Sequence, residues 1–287
     1  MKVDERIKID LHIHTTVSDG TDIPMQLLEK IKETKISLFS ITDHDDVKGC
    51  IQIADCIPSS IKLINGIEFS CKDDKGKYHI LGYDFDVNNQ QMKDVVNLAH
   101  SYRIEKVLSR LQFIEQEFGF TFQQKDIDAL FKNHNPGKPH IANLMIQYGY
   151  ADSIDQAFTQ YLNKKKFHSK NIHPKQAIEA ILSSGGIPIL AHPTYGSGDE
   201  LILSNQMKER IEYLMDFGLE GLEAYYSGFT DRIQNELLDF AQKYNLYVTA
   251  GSDYHGANKM IELGQNNLNA IEDGPEGLKR FIKRLKG

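Results

Sequence analysis

The chain begins with a strict alternation of apolar and polar residues. In "IKIDLHIH", residues 7–14, isoleucine or leucine occupies every odd position, and lysine, aspartate or histidine occupies every even one. Side chains alternate between the two faces of a β-strand, so the pattern predicts a strand near 7–13 with His12 and His14 on one face. Two neutral imidazoles on one face can bind a divalent metal ion. The alternative interpretation of this single motif is a solvent-exposed polar face.

Apolar segments of strand length continue along the chain and alternate with amphipathic helical segments. Six further strands are predicted near 36–42, 61–69 and 77–84 and in "IPILAH", "LEGLEAY" and "LYVTAGSD". The third and fourth strands read as a hairpin that turns at "DDKG". Seven strands, mostly separated by helices, predict an α/β protein with a parallel sheet or barrel. A barrel is favoured because no glycine-rich dinucleotide loop follows any strand.

The middle of the chain has a different pattern. Residues 90–118 carry a long helical stripe of apolar positions, and shorter helices are predicted near 124–133, 139–148 and 153–163. No convincing strand appears between 88 and 185. We therefore predict two regions, which are a barrel formed by 1–87 and 176–287 and a helical insertion, 88–175, that covers the active site.

Composition and charge exclude some classes of protein. The 287 residues are 40% hydrophobic and 25% charged, which is typical of a soluble globular protein, and the net charge of −7 argues against a dedicated duplex-DNA binder. No apolar run is long enough to span a membrane, and "MKVDERIK" does not resemble a signal peptide, so a cytoplasmic location is expected. The three cysteines lack metal-site or redox-motif spacing.

Metal-binding residue types recur where the predicted strands end. Active sites of α/β barrels lie at the carboxyl ends of the strands. Only His79 lies near the start of its strand, but the predicted hairpin turns that strand around and brings His79 close to Glu68. Nine candidate ligands thus converge on one rim: His12, His14, Asp19, His44, Glu68, His79, His192, Asp253 and His255. Each residue alone could have a purely structural role. Together they form a set of histidines and carboxylates that contains no cysteine, and such a set suits manganese, iron or zinc in a multinuclear site.

Six motifs together resemble those of the polymerase and histidinol phosphatase (PHP) superfamily. They are "DLHIHTTVSDG", "ITDHDDV", "GIEFS", "HILGY", "ILAHP" and "GSDYHG". The resemblance implies a distorted seven-stranded (β/α) barrel with a trinuclear metal centre. Two further segments, "GKPHIANLMIQYGYADSIDQAFTQYL" and "HPKQAIEAILSSGGIPILAHP", resemble the branch of 3',5'-nucleoside bisphosphate phosphatases that also act as 5'-to-3' exoribonucleases on short RNA.

The resemblance also implies roles for individual residues. One metal ion would bind His12, His14, Glu68 and Asp253, a second would bind Glu68, His79 and His192, and a third would bind Asp19, His44 and His255. The expected cofactors are two to three divalent ions, Mn²⁺ first, with Fe²⁺ or Zn²⁺ as alternatives. Glu68, Asp253 and His255 are the catalytic candidates, with the last two as alternative proton donors to the leaving oxygen.

Three residues of the helical region are candidates for binding a substrate phosphate: Arg103, Lys138 and His140. Arg103 could instead be a solvated position on a long helix, and His140 could cap a helix or pack in its core. Lys138 stands in "GKPH" where relatives often carry arginine, and a lysine offers a point charge instead of a bidentate fork.

The resemblance predicts a metal-dependent hydrolase that releases phosphate from nucleotides, above all the 3'-phosphate of 3',5'-nucleoside bisphosphates. The expected partner is a small phosphorylated substrate, either a nucleotide or a short RNA end, and neither duplex DNA nor a membrane. Two alternatives stay open. One is a phosphatase or cyclic phosphodiesterase acting on a non-nucleotide metabolite such as histidinol phosphate, and the other is a non-catalytic accessory domain. The sequence leaves the oligomeric state open.

Overall fold

Seven strands form one sheet that follows the chain order β1 to β7. In this computed structural model, the described residues are 8–132, 135–164, 170–196 and 201–285. The strands are β1 Lys8–Ile13, β2 Ile36–Ile41, β3 Lys62–Lys72, β4 Lys77–Tyr83, β5 Ile187–Leu190, β6 Gly221–Tyr226 and β7 Tyr247–Gly251. An isolated bridge between Ile13 and Tyr254 joins the two ends of the sheet, so the barrel is nearly closed. The predicted α/β barrel is confirmed.

One strand of the barrel runs against the others. β4 pairs antiparallel with both β3 and β5, whereas the remaining neighbours are parallel. The carboxyl ends of six strands and the amino end of β4 therefore meet at one rim. This is the arrangement that the "DDKG" turn predicted, and it places His79, the third residue of β4, at that rim.

In the part of the chain that the structure describes, ten helices surround or extend the sheet. Their bounds are α1 Pro24–Glu33, α2 Lys48–Ile53, α3 Gln90–Phe118, α4 Gln124–Lys132, α5 Lys138–Gln147, α6 Ile154–Gln156, α7 Pro174–Ser183, α8 Ser204–Met215, α9 Asp231–Lys243 and α10 Glu276–Arg284. A π-helical segment, Ala157–Leu162, follows α6. Within the described ranges, no helix combines the length and the apolar character needed to cross a membrane.

Beyond the exposed Lys8, the polar face of β1 is buried as completely as its apolar face. Asp10, His12 and His14 have no exposed surface, and neither do Leu11 and Ile13. The interpretation of the histidine motif as a solvent-exposed face is therefore wrong. In a barrel, one face of each strand packs against the outer helices while the other fills the interior.

The long helix α3 joins two hydrophobic cores. Met92, Val95 and Ala99 in its first turns pack in the core of the barrel. Val107 and Ile114, further along, belong to a separate core built with α4, α5 and the π-helical segment. The division between a barrel and an insertion that begins at 88 stays a prediction, because α3 contributes to both cores.

Candidate metal centre

All nine candidate ligands lie in one cluster at the rim. Their ligand atoms form four overlapping groups, within each of which the atoms lie no more than 4.8 Å apart. The groups are His14, Asp19, His44 and His255; His12, Glu68 and His192; His12, His14 and Asp253; and His44, Glu68 and His79. This grouping overlaps with the partition that the family resemblance implies, and it additionally brings His14 to the Asp19 group.

Glu68 lies at the centre of the cluster. It is 1% exposed, and its backbone belongs to β3 near the β3–β4 hairpin. One oxygen, Oε1, is 2.8 Å from His79 Nδ1 and 3.1 Å from His192 Nε2. The other oxygen lies within 3.3 Å of ring nitrogens of His12, His14 and His44. One carboxylate thus bridges imidazoles from both sides of the rim.

One carboxylate oxygen of Asp253 faces the cluster, and the other accepts hydrogen bonds from residues on the opposite side. Its Oδ1 is 3.3–3.6 Å from ring nitrogens of His12, His14 and His255. Its Oδ2 accepts hydrogen bonds from Tyr226 Oη at 2.8 Å and Lys259 Nζ at 2.5 Å. The backbone of Asp253 has φ +59°, and that of His192 has φ +25°. Positive φ values are unfavourable for residues other than glycine, and backbone strain of this kind is concentrated at functional sites.

The donor set fits a divalent cation. Nε2 of His12 and Nε2 of His14 face each other at 3.1 Å. Among the described residues, buried Asp19 Oδ1, Glu68 Oε2, His44 Nδ1 and His192 Nδ1 make no hydrogen bond of normal geometry, although imidazole and carboxylate atoms lie close together. Buried polar atoms without partners are rare in folded proteins, and a set that converges in this way is typical of a site for an ion. Imidazole nitrogen and carboxylate oxygen together suit manganese, iron or zinc.

The electrostatics of the cluster are set by its carboxylates and imidazoles together. Burial raises the pKa of the Glu68 carboxyl, but the imidazoles of His79, His44 and His12 outweigh it, and the pKa lies well below its usual range. Burial, with His255 and His44 close by, lowers the pKa of His14 to about 4, so its imidazole is neutral. At His44 and His12 the nearby carboxylates outweigh burial, which raises the pKa of His44 to about 9 and that of His12 well above its ordinary value. A metal ion would therefore displace protons from these two histidines, because its ligands must be deprotonated.

A buried carboxylate behind the cluster orients two of the histidines. Glu223 of β6 is fully buried. Its Oε1 is 2.9 Å from His12 Nδ1, and its Oε2 accepts the backbone N–H of His192 at 2.7 Å. The carboxylate requires His12 Nδ1 to carry the proton, which leaves the lone pair of Nε2 directed at the cluster. Glu223 and His12 are 211 positions apart, so no local sequence pattern identifies this contact.

Two other aspartates support the rim from below. Asp43 accepts hydrogen bonds from Thr15 and from the Ser18 hydroxyl, which holds the loop that leads to Asp19. Asp10 accepts hydrogen bonds from the backbone and the side chain of Ser252, next to Asp253. Burial raises the pKa of both carboxyl groups to about 6.

The helical region contributes a cation to the mouth of the cluster. Arg103 of α3 donates to Asp45 Oδ2 at 2.5 and 3.1 Å and to Ser70 Oγ at 3.1 Å. Its side chain is 13% exposed, so it is not a solvated helix position. Its Nη1 lies 3.2 Å from the point where a Cβ on Gly137 would stand, so a side chain at that position would crowd the guanidinium.

The other two phosphate-binding candidates differ in position. His140 Nδ1 accepts the Gly137 N–H at 3.0 Å and so caps α5. Burial lowers the pKa of His140, and Asp19 and Arg103 are both close enough to affect it. The Lys138 ammonium instead donates to Asn163 Oδ1 at 2.9 Å and lies 4.1 Å from the centre of the Phe158 ring. Arg103 and His140 thus lie near the cluster, while Lys138 is directed further along the insertion.

Comparison with known proteins identifies relatives along nearly the whole chain. A 5'-3' exoribonuclease of Haemophilus influenzae is 28% identical over 90% of this chain and 94% of its own length. A 3',5'-nucleoside bisphosphate phosphatase of Chromobacterium violaceum is 24% identical over 97% of this chain and 96% of its own. A crystal structure of a metal-dependent phosphoesterase from Bifidobacterium adolescentis superimposes with a TM-score of 0.85 at 24% identity, covering 98% and 97% of the two chains.

The pattern of the PHP domain family matches residues 10–286. That range spans every strand end and all nine clustered side chains. The barrel with its buried histidines and carboxylates, the breadth of this match and the phosphoester-cleaving relatives agree. The chain therefore belongs to the PHP domain family and is a phosphoester hydrolase.

Proposed function

We propose that this protein removes the 3'-phosphate of 3',5'-nucleoside bisphosphates and releases 5'-nucleotides from short RNA. The observation that supports this most directly is the pairing of two features. A cluster of nine metal-binding side chains is flanked, at its mouth, by the cationic Arg103 and by His140. A site with two separate positions that can bind negatively charged groups suits a substrate with two phosphates.

The proposed cofactors are two to three divalent ions, with Mn²⁺ preferred over Fe²⁺ and Zn²⁺. The ions would be held by His12, His14, Glu68 and Asp253; by Glu68, His79 and His192; and by Asp19, His44 and His255. When bound, divalent ions would neutralise the charge of the phosphoryl group and would supply hydroxide as the nucleophile at neutral pH.

A side chain of the protein would donate one proton to the leaving oxygen of the substrate. Hydrolysis adds water across the P–O bond, so the departing 3'-oxygen must take up a proton. Burial raises the pKa of Asp253, but Lys259, His12 and His255 outweigh it, so this carboxyl stays ionised and is a poor donor. His255 Nε2 lies 3.3 Å from Asp19 Oδ1, and an imidazole is the side chain that most often transfers a proton in catalysis. We therefore favour His255 over Asp253 as the proton donor.

No side chain needs to act as a nucleophile in this proposal. The hydroxyls of Thr15 and Ser18, which lie beside the cluster, both donate to Asp43 and hold the loop. Burial raises the pKa of Cys50 to about 12, so its thiol stays protonated. Direct attack by water, with no covalent protein intermediate, is the expected route.

Arg103 and His140 would bind the phosphate that is not cleaved. Since His140 Nδ1 accepts the Gly137 N–H, its Nε2 carries the remaining proton and can donate to a phosphate oxygen. Asp45 holds the guanidinium of Arg103 in place before substrate arrives. Binding energy at a remote phosphate can be used to orient the reacting one.

The test compares kcat/KM for adenosine 3',5'-bisphosphate and adenosine 3'-monophosphate. We expect a strong preference for the bisphosphate in the wild type, and loss of most of it in Arg103→Ala, with the monophosphatase activity retained. Because that change leaves Asp45 buried without its partner, Arg103→Ala/Asp45→Asn is measured beside it. Arg232→Ala, at an exposed position of α9, serves as the control.

Equal kcat/KM values for the two substrates in the wild type would show that no second phosphate is recognised. A panel that adds histidinol phosphate and a cyclic phosphodiester would then identify the alternative substrate class. Bound metal without turnover of any phosphoester would support a non-catalytic accessory role instead.

A further inference from the structure

One face of α3 carries a row of cations that continues beyond Arg103. Lys106 and Arg110 follow Arg103 by three and seven residues on this helix, so all three lie on the same face. With a rise of 1.5 Å per residue, they stand roughly 4.5 and 10.5 Å further along the axis. Lys138 of α5 lies close enough to Arg110 for the two charges to repel each other. Lys106, Arg110 and Lys138 are called the outer basic cluster below.

Among the residues that the structure describes, the lysines of this cluster have amide and not carboxylate hydrogen-bond partners. Lys106 Nζ donates to the amide oxygen of Asn171 at 2.6 Å. Lys138 Nζ donates to the amide oxygen of Asn163 and stacks over an aromatic ring. Asp45 attracts Lys106 but is itself bonded to Arg103. The ammonium groups are thus positioned by neutral partners, and their charge is left for another anion.

This arrangement opposes the stability of the protein. Burial, together with the neighbouring cations, lowers the pKa of Lys106 and Lys138 to about 8 and that of Arg110 to about 10. Each lowered pKa corresponds to an unfavourable free energy of keeping that side chain positively charged at neutral pH. A chain with a net charge of −7 has many carboxylates that could relieve this cost. Strained or repelling groups of this kind are typical of binding sites.

We propose that the outer basic cluster binds further phosphate groups of the nucleotide substrate, beyond the two held by the metal centre and by Arg103 with His140. This inference rests on the proposed function. The cluster begins one helical turn beyond Arg103, so a phosphate linked to the one at Arg103 would reach it. Such phosphates occur in the 5'-polyphosphate chain of a nucleotide, whereas the backbone of an RNA whose 5'-phosphate lies at Arg103 would continue on the far side of the metal centre. The geometry assigns Lys106 and Arg110 as the residues that distinguish a 5'-polyphosphate substrate from a simple bisphosphate.

The experiment measures kcat/KM for three substrates with the metal-loaded enzyme. They are adenosine 3',5'-bisphosphate, adenosine 3'-phosphate 5'-triphosphate and 5'-phosphorylated triadenylate. We expect adenosine 3'-phosphate 5'-triphosphate to exceed the bisphosphate by about tenfold or more, which is the size of effect a charge-assisted contact has. Triadenylate is the comparison substrate, because its additional phosphates would lie beyond the metal centre and away from the outer basic cluster.

Lys106→Gln and Arg110→Gln should each remove most of that excess while changing bisphosphate turnover by less than about twofold. The same two variants should leave the hydrolysis of triadenylate unchanged. Lys106→Arg should retain the preference. Lys93→Gln, at an exposed position of the same helix, is the matched control.

Two outcomes would overturn the proposal. One is a wild type that hydrolyses the bisphosphate but does not favour the 5'-triphosphate, and the other is a preference that survives both glutamine variants. Failure to hydrolyse any of the three substrates would contradict the proposed function as well. Thermal unfolding separates binding from structure, because removing repelling charges should leave the melting temperature unchanged or raise it, whereas a structural role predicts a decrease.

Discussion

The role of Glu223 is open to a direct test through Glu223→Gln. The substitution preserves the shape of the side chain but removes its charge and one of its two acceptors. In the wild type, both oxygens are used, by His12 Nδ1 at 2.9 Å and by the His192 N–H at 2.7 Å. If the glutamine oxygen serves His192, its NH₂ group faces His12. The imidazole must then accept at Nδ1, so the proton moves to Nε2 and blocks the atom that faces the cluster.

The magnitude follows from the position of Glu223 behind the ligands. Loss of a residue that orients a ligating histidine typically weakens metal binding by about 10- to 100-fold, which corresponds to about 1.4–2.7 kcal/mol. Since ligand binding stabilises the folded state by mass action, saturating Mn²⁺ should stabilise the variant by that much less than the wild type. For a chain of this size, the Mn²⁺-induced rise in melting temperature should be smaller by about 3–8 °C.

The assay combines thermal unfolding of the chelator-treated protein, with and without Mn²⁺, and a competition titration with a metal indicator. Glu220→Gln is the matched control, since Glu220 is a partly buried glutamate at the start of the same strand and lies near Arg284, away from the cluster. An unchanged Mn²⁺ affinity in Glu223→Gln would refute the argument that this carboxylate fixes the tautomer of His12.

Two further predictions concern the metal count and the nucleobase. Asp19→Ala should reduce the metal content by about one ion per chain, because Asp19 is the carboxylate of the group with His14, His44 and His255; elemental analysis that finds the same content would remove it from the ligand set. Tyr195, 41% exposed with its ring centre 5.9 Å from that of His192, is placed to stack on a base. Tyr195→Ala should raise KM for nucleotides by about 5- to 150-fold, as expected for a lost stacking contact worth about 1–3 kcal/mol, and Tyr195→Phe should not. A proportionate rise in KM for a phosphate ester without a base would contradict the stacking role.

Local patterns in the sequence determined the elements and the rim on which the candidate ligands meet. Alternation with a period of two identifies β1 and its two histidines, because side chains of a strand alternate whatever the strand packs against. The hairpin was predictable for the same reason, since the "DDKG" turn reverses the chain within a few residues and brings His79 to within 2.8 Å of Glu68. Recurrence of histidine and carboxylate at strand ends, together with the resemblance to PHP motifs, accounts for the rest of the predicted set.

Tertiary structure alone decided which groups support the site and how each is charged. Glu223 and His12 are 211 positions apart, and Lys259 reaches Asp253 from a loop that shows no periodic pattern. Burial depends on the closure of the barrel, so the sequence could not distinguish a solvated histidine face from a buried one. The sequence does not reveal the outer basic cluster either. Keeping its lysines and arginine charged becomes unfavourable in free energy only when α3 and α5 pack together. Closure and packing depend on contacts between distant segments, which local patterns do not record.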